Sequence, residues 1–365
     1  MGSRSVPDVR LTPDWRGRRD ALRGRLEVAG GDLMLVTDPA NVRYLSGFSG
    51  SNGQVLIGAP GEDRLITDGR YEQRAAVEAP GLEVIVSRKP LEVAVAAGGD
   101  GQGVLAVEAE HLPWATAQRL QEHAEEARVR VIATTGLVEE LRVVKDDAEV
   151  VRLAAACAFT TSALGWLIAE VVAVGRTERQ LAVALERRFV DIGADGVAFP
   201  SIVASGPNAA VPHHAPTDRA IVDGDVVTID CGALVDGYHA DCTRTVAVGR
   251  FDPEMGRVYE VVREAQAAGR DAAVAGALAG EVDAAARDVI ERGGLGQRFV
   301  HGTGHGVGLA IHEAPAVAKG SRDRLLASMT LTVEPGVYLP GIGGVRIEDT
   351  IVVTADGPAR VLTHL

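Results

Sequence analysis

The feature that most limits what this chain can fold into is a set of carboxylates standing where β-strands should be apolar. Asp230 closes the run Val226-Val227-Thr228-Ile229, and Asp241 opens the next one eleven positions later. Glu334 closes Leu331-Thr332-Val333 just before Pro335-Gly336, and Glu348 sits inside Val345-Arg346-Ile347-Glu348-Asp349-Thr350-Ile351. A carboxylate carried into an apolar β-layer loses its hydration, which is costly unless a cation compensates. One such residue is ordinarily a strand end facing water. Here there are four, and six of the nine histidines (His213, His214, His239, His301, His305, His312) share the same 100-residue stretch. That combination points to a metal site. Four carboxylates and an imidazole form a hard, oxygen-rich set that suits Mn²⁺ or Co²⁺, less clearly Zn²⁺, and disfavours a thiolate-type structural zinc. Five protein ligands are too many for one open catalytic ion, but two ions about 3.5–4 Å apart can share carboxylates and acidify a bridging water to a pKa of roughly 7. Hydrolysis is what such a site does.

Composition narrows the setting. At 365 residues the chain exceeds what one core usually supports, so two domains are expected. The formal charge of -13 argues against nucleic acid or anionic lipid as a partner. No run of 18 apolar residues occurs, so no membrane span is expected. Three cysteines without a CxxC pair fit a reducing compartment. Seven arginines fall between Arg4 and Arg25, but Asp8, Asp14 and Asp20 interrupt them and no apolar targeting core follows. A solvated first helix near residues 13–29 and a cytoplasmic location are the expectations.

Between residues 30 and 135, short apolar runs at 33–36, 54–57, 82–86, 104–107 and 129–132 alternate with helical stretches at 70–79 and 113–125, which predicts an α/β layer structure. A charged stretch from Leu137 to Ala148 places the domain boundary near residue 140, giving domains 1–140 and 141–365. The second domain opens with a long helix from Asp146 to about Val172. The next starts at Thr177, with Gln180 placed to complete a capping box. Runs at 226–230 and 241–248 predict an antiparallel hairpin, followed by helices at about 254–277 and 281–292. Strands near 298–301, 330–334 and 344–353 complete an α+β arrangement.

Six segments then carry a specific resemblance. Asp230-Cys231-Gly232, His239-Ala240-Asp241, His301-Gly302-Thr303-Gly304-His305, Ile311-His312-Glu313, Val333-Glu334-Pro335-Gly336 and Val345-Arg346-Ile347-Glu348-Asp349 resemble, in order, the pita-bread metallopeptidases: methionine aminopeptidase, Xaa-Pro dipeptidase (prolidase) and Xaa-Pro aminopeptidase. Asn41 to Asn52 and Thr67-Asp68-Gly69-Arg70-Tyr71 resemble the N-terminal domain of the Xaa-Pro group, which methionine aminopeptidases lack. The resemblance implies a pita-bread catalytic domain preceded by a smaller three-layer, ribonuclease H-like α/β domain. It implies two divalent ions, Mn²⁺ foremost and Co²⁺ or Zn²⁺ as alternatives, held by Asp230, Asp241, His305, Glu334 and Glu348, with Asp241 and Glu348 bridging. By the same resemblance His213 and His312 are catalytic histidines, Glu334 also accepts a proton, and His301, Tyr338 and Arg346 bind or border the substrate. The implied reaction is hydrolysis of Xaa-Pro peptides by a hydroxide shared between the ions, as an aminopeptidase, with the dipeptidase as the rival. A homodimer is implied, with a tetramer also known in the family. A metal-free creatinase-like hydrolase or a non-catalytic relative would show eroded ligands, and all five stand.

Other residues have plainer readings. His214 competes with its neighbour His213 for one role, and side chains of adjacent extended residues point apart. His239 reads as a loop residue, and His111, His123 and His364 as surface positions. Cys231 and Cys242 each follow an expected ligand, so strand alternation turns them into the core. The glycine-rich run 302–308 lacks GxGxxG and GxxxxGK[ST] and reads as close backbone approach rather than a nucleotide loop.

Overall fold

Strand β1 (Leu33–Val36) is buried at all four residues, the reason it reads as an unbroken apolar run rather than an alternation. The computed structural model describes residues 11–99 and 103–365, in which Pro13–Arg142 form one unit and Val143–Leu365, together with Leu11 and Thr12, form the other. Residues 1–10, with Arg4 and Arg10 of the arginine-rich stretch, lie outside the described residues.

In the first unit β1 is flanked by β2 (Gly53–Ile57), β3 (Arg64–Thr67), β4 (Glu83–Val86), β5 (Val104–Glu108) and β6 (Arg130–Thr134) in the order β4-β3-β2-β1-β5-β6. Only β2 runs antiparallel to its neighbours; β1–β5, β5–β6 and β3–β4 pair in parallel. Helix α1 (Trp15–Val28) precedes β1, helices α2 (Pro39–Ser46), α3 (Glu72–Glu78), α4 (Pro90–Ala97) and α5 (Trp114–Ala127) connect strands, and the single turn α6 (Glu139–Arg142) follows β6. Helices α2 and α4 and strand β3 were not legible as elements. Eight residues barely show a 3.6-residue period, and α2 is fixed instead by its ends. Asp38 accepts from the Asn41 amide (2.9 Å), Pro39 presets the first turn, and Gly47 leaves the helix at φ 82°.

The second unit begins with α7 (Asp147–Glu170) and α8 (Glu178–Asp191), both started by capping boxes. Helix α7 is long and apolar enough to cross a membrane by composition. Its Leu153, Ala156, Leu164 and Leu167 are nevertheless buried in this unit. A three-stranded sheet follows, ordered β12 (Cys242–Ala247), β9 (Val226–Cys231), β8 (Ile202–Ser205), with a smaller one ordered β11 (Tyr238–His239), β10 (Ala233–Val235), β7 (Gly196–Val197). The expected hairpin is present as β9–β12, but β10 and β11 intervene between its arms. After α9 (Pro253–Ala272) and α10 (Ala279–Arg292) come β13 (Gly304–Gly306), β14 (Glu313–Val317), β15 (Thr330–Val333), the pair β16 (Gly336–Leu339) and β17 (Gly343–Arg346), β18 (Asp349–Val352) and β19 (Arg360–Val361).

Two expectations are corrected. Residues 299–301 form no strand; a 3₁₀ turn at Gly296–Arg298 precedes them. The Arg287 guanidinium takes the carbonyls of Phe299 (3.3 Å) and His301 (2.9 Å), groups that a ladder would have needed. The single strand expected over 344–353 is two, β17 and β18, in different sheets and broken at Ile347 and Glu348.

Candidate metal centre

Strand ends and breaks, rather than strand centres, bring the carboxylates together. Asp230 lies opposite Thr243 in the β9–β12 ladder, and Asp241 stands immediately before β12. Glu334 occupies the gap between β15 and β16, and Glu348 the gap between β17 and β18. His305 is the central residue of β13. Oxygens of Asp230, Asp241 and Glu348 lie within 4.8 Å of one another. The His305 Nε2 stands 3.3 Å from Glu334 Oε1 and 3.7 Å from Asp241 Oδ2. The close approach depends on glycine: a Cβ on Gly304 would fall 2.0 Å from the Thr332 carbonyl oxygen, and one on Gly306 would fall 2.1 Å from that of Ala314.

The site's electrostatics call for a cation. Burial, then the neighbouring carboxylates, pushes Asp241 and Glu348 well above the usual carboxylate range. Burial would raise Glu334 too, but the His305 hydrogen bond and the Arg346 charge outweigh it and hold it low. Asp230 Oδ1 and Glu348 Oε1 are buried with no hydrogen-bond partner. Their other oxygens are fixed, Asp230 Oδ2 by Arg346 (2.6 Å) and Glu348 Oε2 by the Thr243 hydroxyl (2.7 Å). Two orphaned, converging carboxylate oxygens in a cluster that cannot stay fully ionised fit a divalent cation well. The donor set is oxygen plus imidazole; the Cys231 and Cys242 thiols are fully buried and face the carbonyls of Cys242 and Glu348.

A cavity of about 360 Å³ opens on this cluster. Asp230, Asp241, His305, Glu334, His213, His312, His301 and Arg346 all reach its wall, and Phe199, Ile202 and Ile311 supply an apolar side. The rings of His305 and His312 meet edge to face at 4.4 Å. Burial and the adjacent His305 hold His312 below its ordinary range, which favours a neutral ring. His301 is lowered by burial, and its Nε2 pairs with the Tyr338 hydroxyl at 2.8 Å. Tyr338 is 5% exposed, does not line the cavity, and also accepts from Arg346 (2.9 Å), so it stands behind the wall.

His213 and His214 are separated, though by a turn at Pro212 and His213 rather than by strand alternation. His213 lines the cavity, while His214 Nε2 turns to Glu178 at 2.8 Å. Glu178 has no distinguishing signal in the sequence. It reads as an ordinary first-turn acid of α8, where the helix dipole favours one. In the structure it is fully buried and gathers the loop that carries His213: one oxygen accepts from the Ser205 amide and hydroxyl and from Asn208, the other from His214 and from the Thr217 amide and hydroxyl. Burial alone would raise its pKa, but the hydrogen bonds, Thr217 and His214 foremost, hold the carboxyl down at about 2. Of the remaining histidines, His239 is tied to the Gly308 carbonyl (3.2 Å).

The model of metallopeptidase family M24 matches residues 151–355, more than half of the chain. The chain belongs to metallopeptidase family M24. Residues 18–144 match the creatinase/prolidase N-terminal domain. This M24 chain is 34% identical to the Xaa-Pro dipeptidase of Pyrococcus furiosus over 331 residues, 90% of this chain and 93% of that one. Its fold superposes on an Xaa-Pro dipeptidase from Bacillus anthracis with a TM-score of 0.90, at 36% identity and covering 96% and 98% of the two chains. An X-Pro aminopeptidase from Thermotoga maritima gives a TM-score of 0.85 at 34% identity, covering 93% and 98%. The pita-bread fold and the metallopeptidase assignment thus hold for this M24 member. Relatives of nearly equal similarity carry dipeptidase and aminopeptidase names.

Proposed function

We propose that this chain is a divalent-metal-dependent Xaa-Pro aminopeptidase, releasing the N-terminal residue that precedes a proline in second position. The observation that carries the reading is the Asp230–Asp241–Glu348 cluster, whose two aspartates line one cavity together with His305, Glu334, His213 and His312. Two ions held by Asp230, Asp241, His305, Glu334 and Glu348, with Asp241 and Glu348 shared, would supply Lewis acidity toward the scissile carbonyl and acidify a water. Mn²⁺ is the proposed metal, in a cytoplasmic homodimer.

The protein's own groups do the rest. An Xaa-Pro bond is a tertiary amide with no N–H, so a cleft that aligns peptides through that donor cannot hold it. Here the carbonyl is the handle. His213 and His312 donate N–H groups to the oxygen as charge develops on it, where preorganised donors matter most. Glu334, ionised and held by His305, takes the proton of the attacking water and returns it to the proline nitrogen, which leaves as a secondary amine. His301, braced by Tyr338, and the apolar side of Phe199, Ile202 and Ile311 receive the ring.

The choice of aminopeptidase over dipeptidase rests on charge. A dipeptide presents a free carboxylate that needs a cation. Arg346 is the only arginine or lysine on the cavity wall among the described residues, and Asp230, Tyr338 and the Pro212 carbonyl already engage it. The dipeptidase names of several relatives favour the second reading. Hydrolysis of Gly-Pro set against Gly-Pro-Pro, after Mn²⁺ loading, separates them. Cleavage of the tripeptide supports the proposal; cleavage of the dipeptide alone transfers the chain to the dipeptidases, and cleavage of neither removes the proline-directed reading.

A further inference from the structure

We propose that the first unit carries a second, non-catalytic site that binds a phosphate-bearing small molecule. A cavity of about 530 Å³, larger than the catalytic one, lies beyond the carboxyl ends of β1, β4 and β5, lined there by Thr37, by Arg88 to Glu92 and by His111, Leu112, Pro113 and Thr116. In an open parallel sheet this is where ligands bind, at the point where strand order reverses. The reversal is here: the chain steps outward from β1 through β2 and β3 to β4, then returns through α4 to β5 on the other side of β1.

The wall is cationic in an acidic protein. Arg88, Lys89, His111, Arg119 and His123 face the cavity, with Glu92 the only carboxylate among the lining residues. Some of this charge is spent: Lys89 pairs with Glu92 (2.9 Å), and His111 with Asp38 (3.1 Å) and Glu139 (3.6 Å). The two arginines are not so committed. Arg119 meets only the Thr116 hydroxyl (3.3 Å), and Arg88 has no carboxylate partner among the described residues. A chain with 50 acidic and 37 basic residues could have neutralised them easily.

Two further features agree with an anion. Helices α4 and α5 both begin beside this cavity, and neither start has a side-chain cap from its N-cap residue, so two helix starts border it. Uncapped helix starts are common alone; here they add to unpaired guanidinium groups, whose forked donors match tetrahedral oxyanions. Leu35, Leu91 and Leu112 also line the cavity, an apolar portion suited to the organic part of a phosphomonoester. The net charge of -13 works against a long polyanion.

The test is calorimetric titration of the full-length, Mn²⁺-loaded protein with inorganic phosphate and with ribose 5-phosphate, using chloride as an ionic-strength control. Trp114, 78% exposed at the first residue of α5, is a local fluorescence reporter. The expected result is saturable binding, tighter for ribose 5-phosphate, weakened about tenfold or more in the Arg88→Ala/Arg119→Ala double variant. Both side chains are exposed, so the variant should keep its Tm and its peptidase activity, which shows that it has folded. No saturable binding into the millimolar range overturns the proposal. Equal affinity in the double variant does so too, since the phosphate then sits elsewhere, in the catalytic cavity or on the general surface.

Discussion

At the scale of single residues, the decisive fact about Asp241 and Glu348 is that they repel in the absence of a cation. Asp241→Asn should therefore separate stability from function. The variant is expected to lose metal, read by elemental analysis, and to lose peptidase activity, while its metal-free form melts no lower than metal-free wild type. A metal-free variant that melts well below wild type would mean the carboxylate is held by something other than a cation. Glu178 is the opposite case, a buried carboxylate fully satisfied by protein donors. Removing it in Glu178→Ala strands those donors and is expected to destabilise by about 2–4 kcal/mol. It should also lower kcat/KM by about a hundredfold through misplacement of His213, with metal content retained. Glu178→Gln should recover part of both. The pH response has a definite sign. A carboxyl held at about 2 in the fold, against an ordinary value of 4.5, contributes stability that is complete above pH 4.5 and is lost as pH falls toward 2. Wild type should lose on the order of a few kcal/mol more than Glu178→Gln across that window, measured by urea melts.

At the scale of elements, the glycines of β13 and the interruption between β17 and β18 decide the site. Gly304→Ala would drive a Cβ into the Thr332 carbonyl. It is expected to cost about 1–3 kcal/mol and to weaken metal binding by displacing His305; unchanged affinity by metal titration would show that β13 yields without moving its histidine. An element is legible in the sequence where it announces itself at its ends or over many residues. The capping box at Thr177 and Gln180 forms as read, with bonds of 3.1 and 3.2 Å. Helix α4 and strand β3 are too short for periodicity to accumulate, and at α2 the end signals of Asp38, Pro39 and Gly47 enclose too few residues for a period to support them. Residues 299–301 read as a strand in the sequence, but a side chain from α10 takes the carbonyls of Phe299 and His301. The run 344–353 looks continuous in hydrophobicity, and only the sheet pairings reveal the break that projects Glu348.

At the scale of the whole molecule, metal should couple to the stability of the second unit, where all five proposed ligands reside. Mn²⁺ at a hundredfold excess over its dissociation constant is expected to stabilise the fold by about 2.7 kcal/mol, and a chelator should reverse this. Scanning calorimetry with and without chelator checks it; a melting profile indifferent to metal would argue that the cluster is not a cation site. The acidic net charge constrains little here, because it records the surface and not the site.

The sequence by itself determined the residue types of the site. Carboxylates in apolar runs and clustered histidines are costly to keep, and that cost is visible without coordinates. It also determined the alternation of strands and helices in the first unit and the long helices of the second, because periodicity over many residues is a local property. Only the tertiary structure decided that His213 and not His214 faces the cavity, that Tyr338 stands behind the wall, and that Glu178 anchors a loop some thirty-five positions away in sequence. Those outcomes depend on which groups meet across the fold. A hydrogen-bond partner contributed by a distant segment leaves no periodic trace in the sequence of either one.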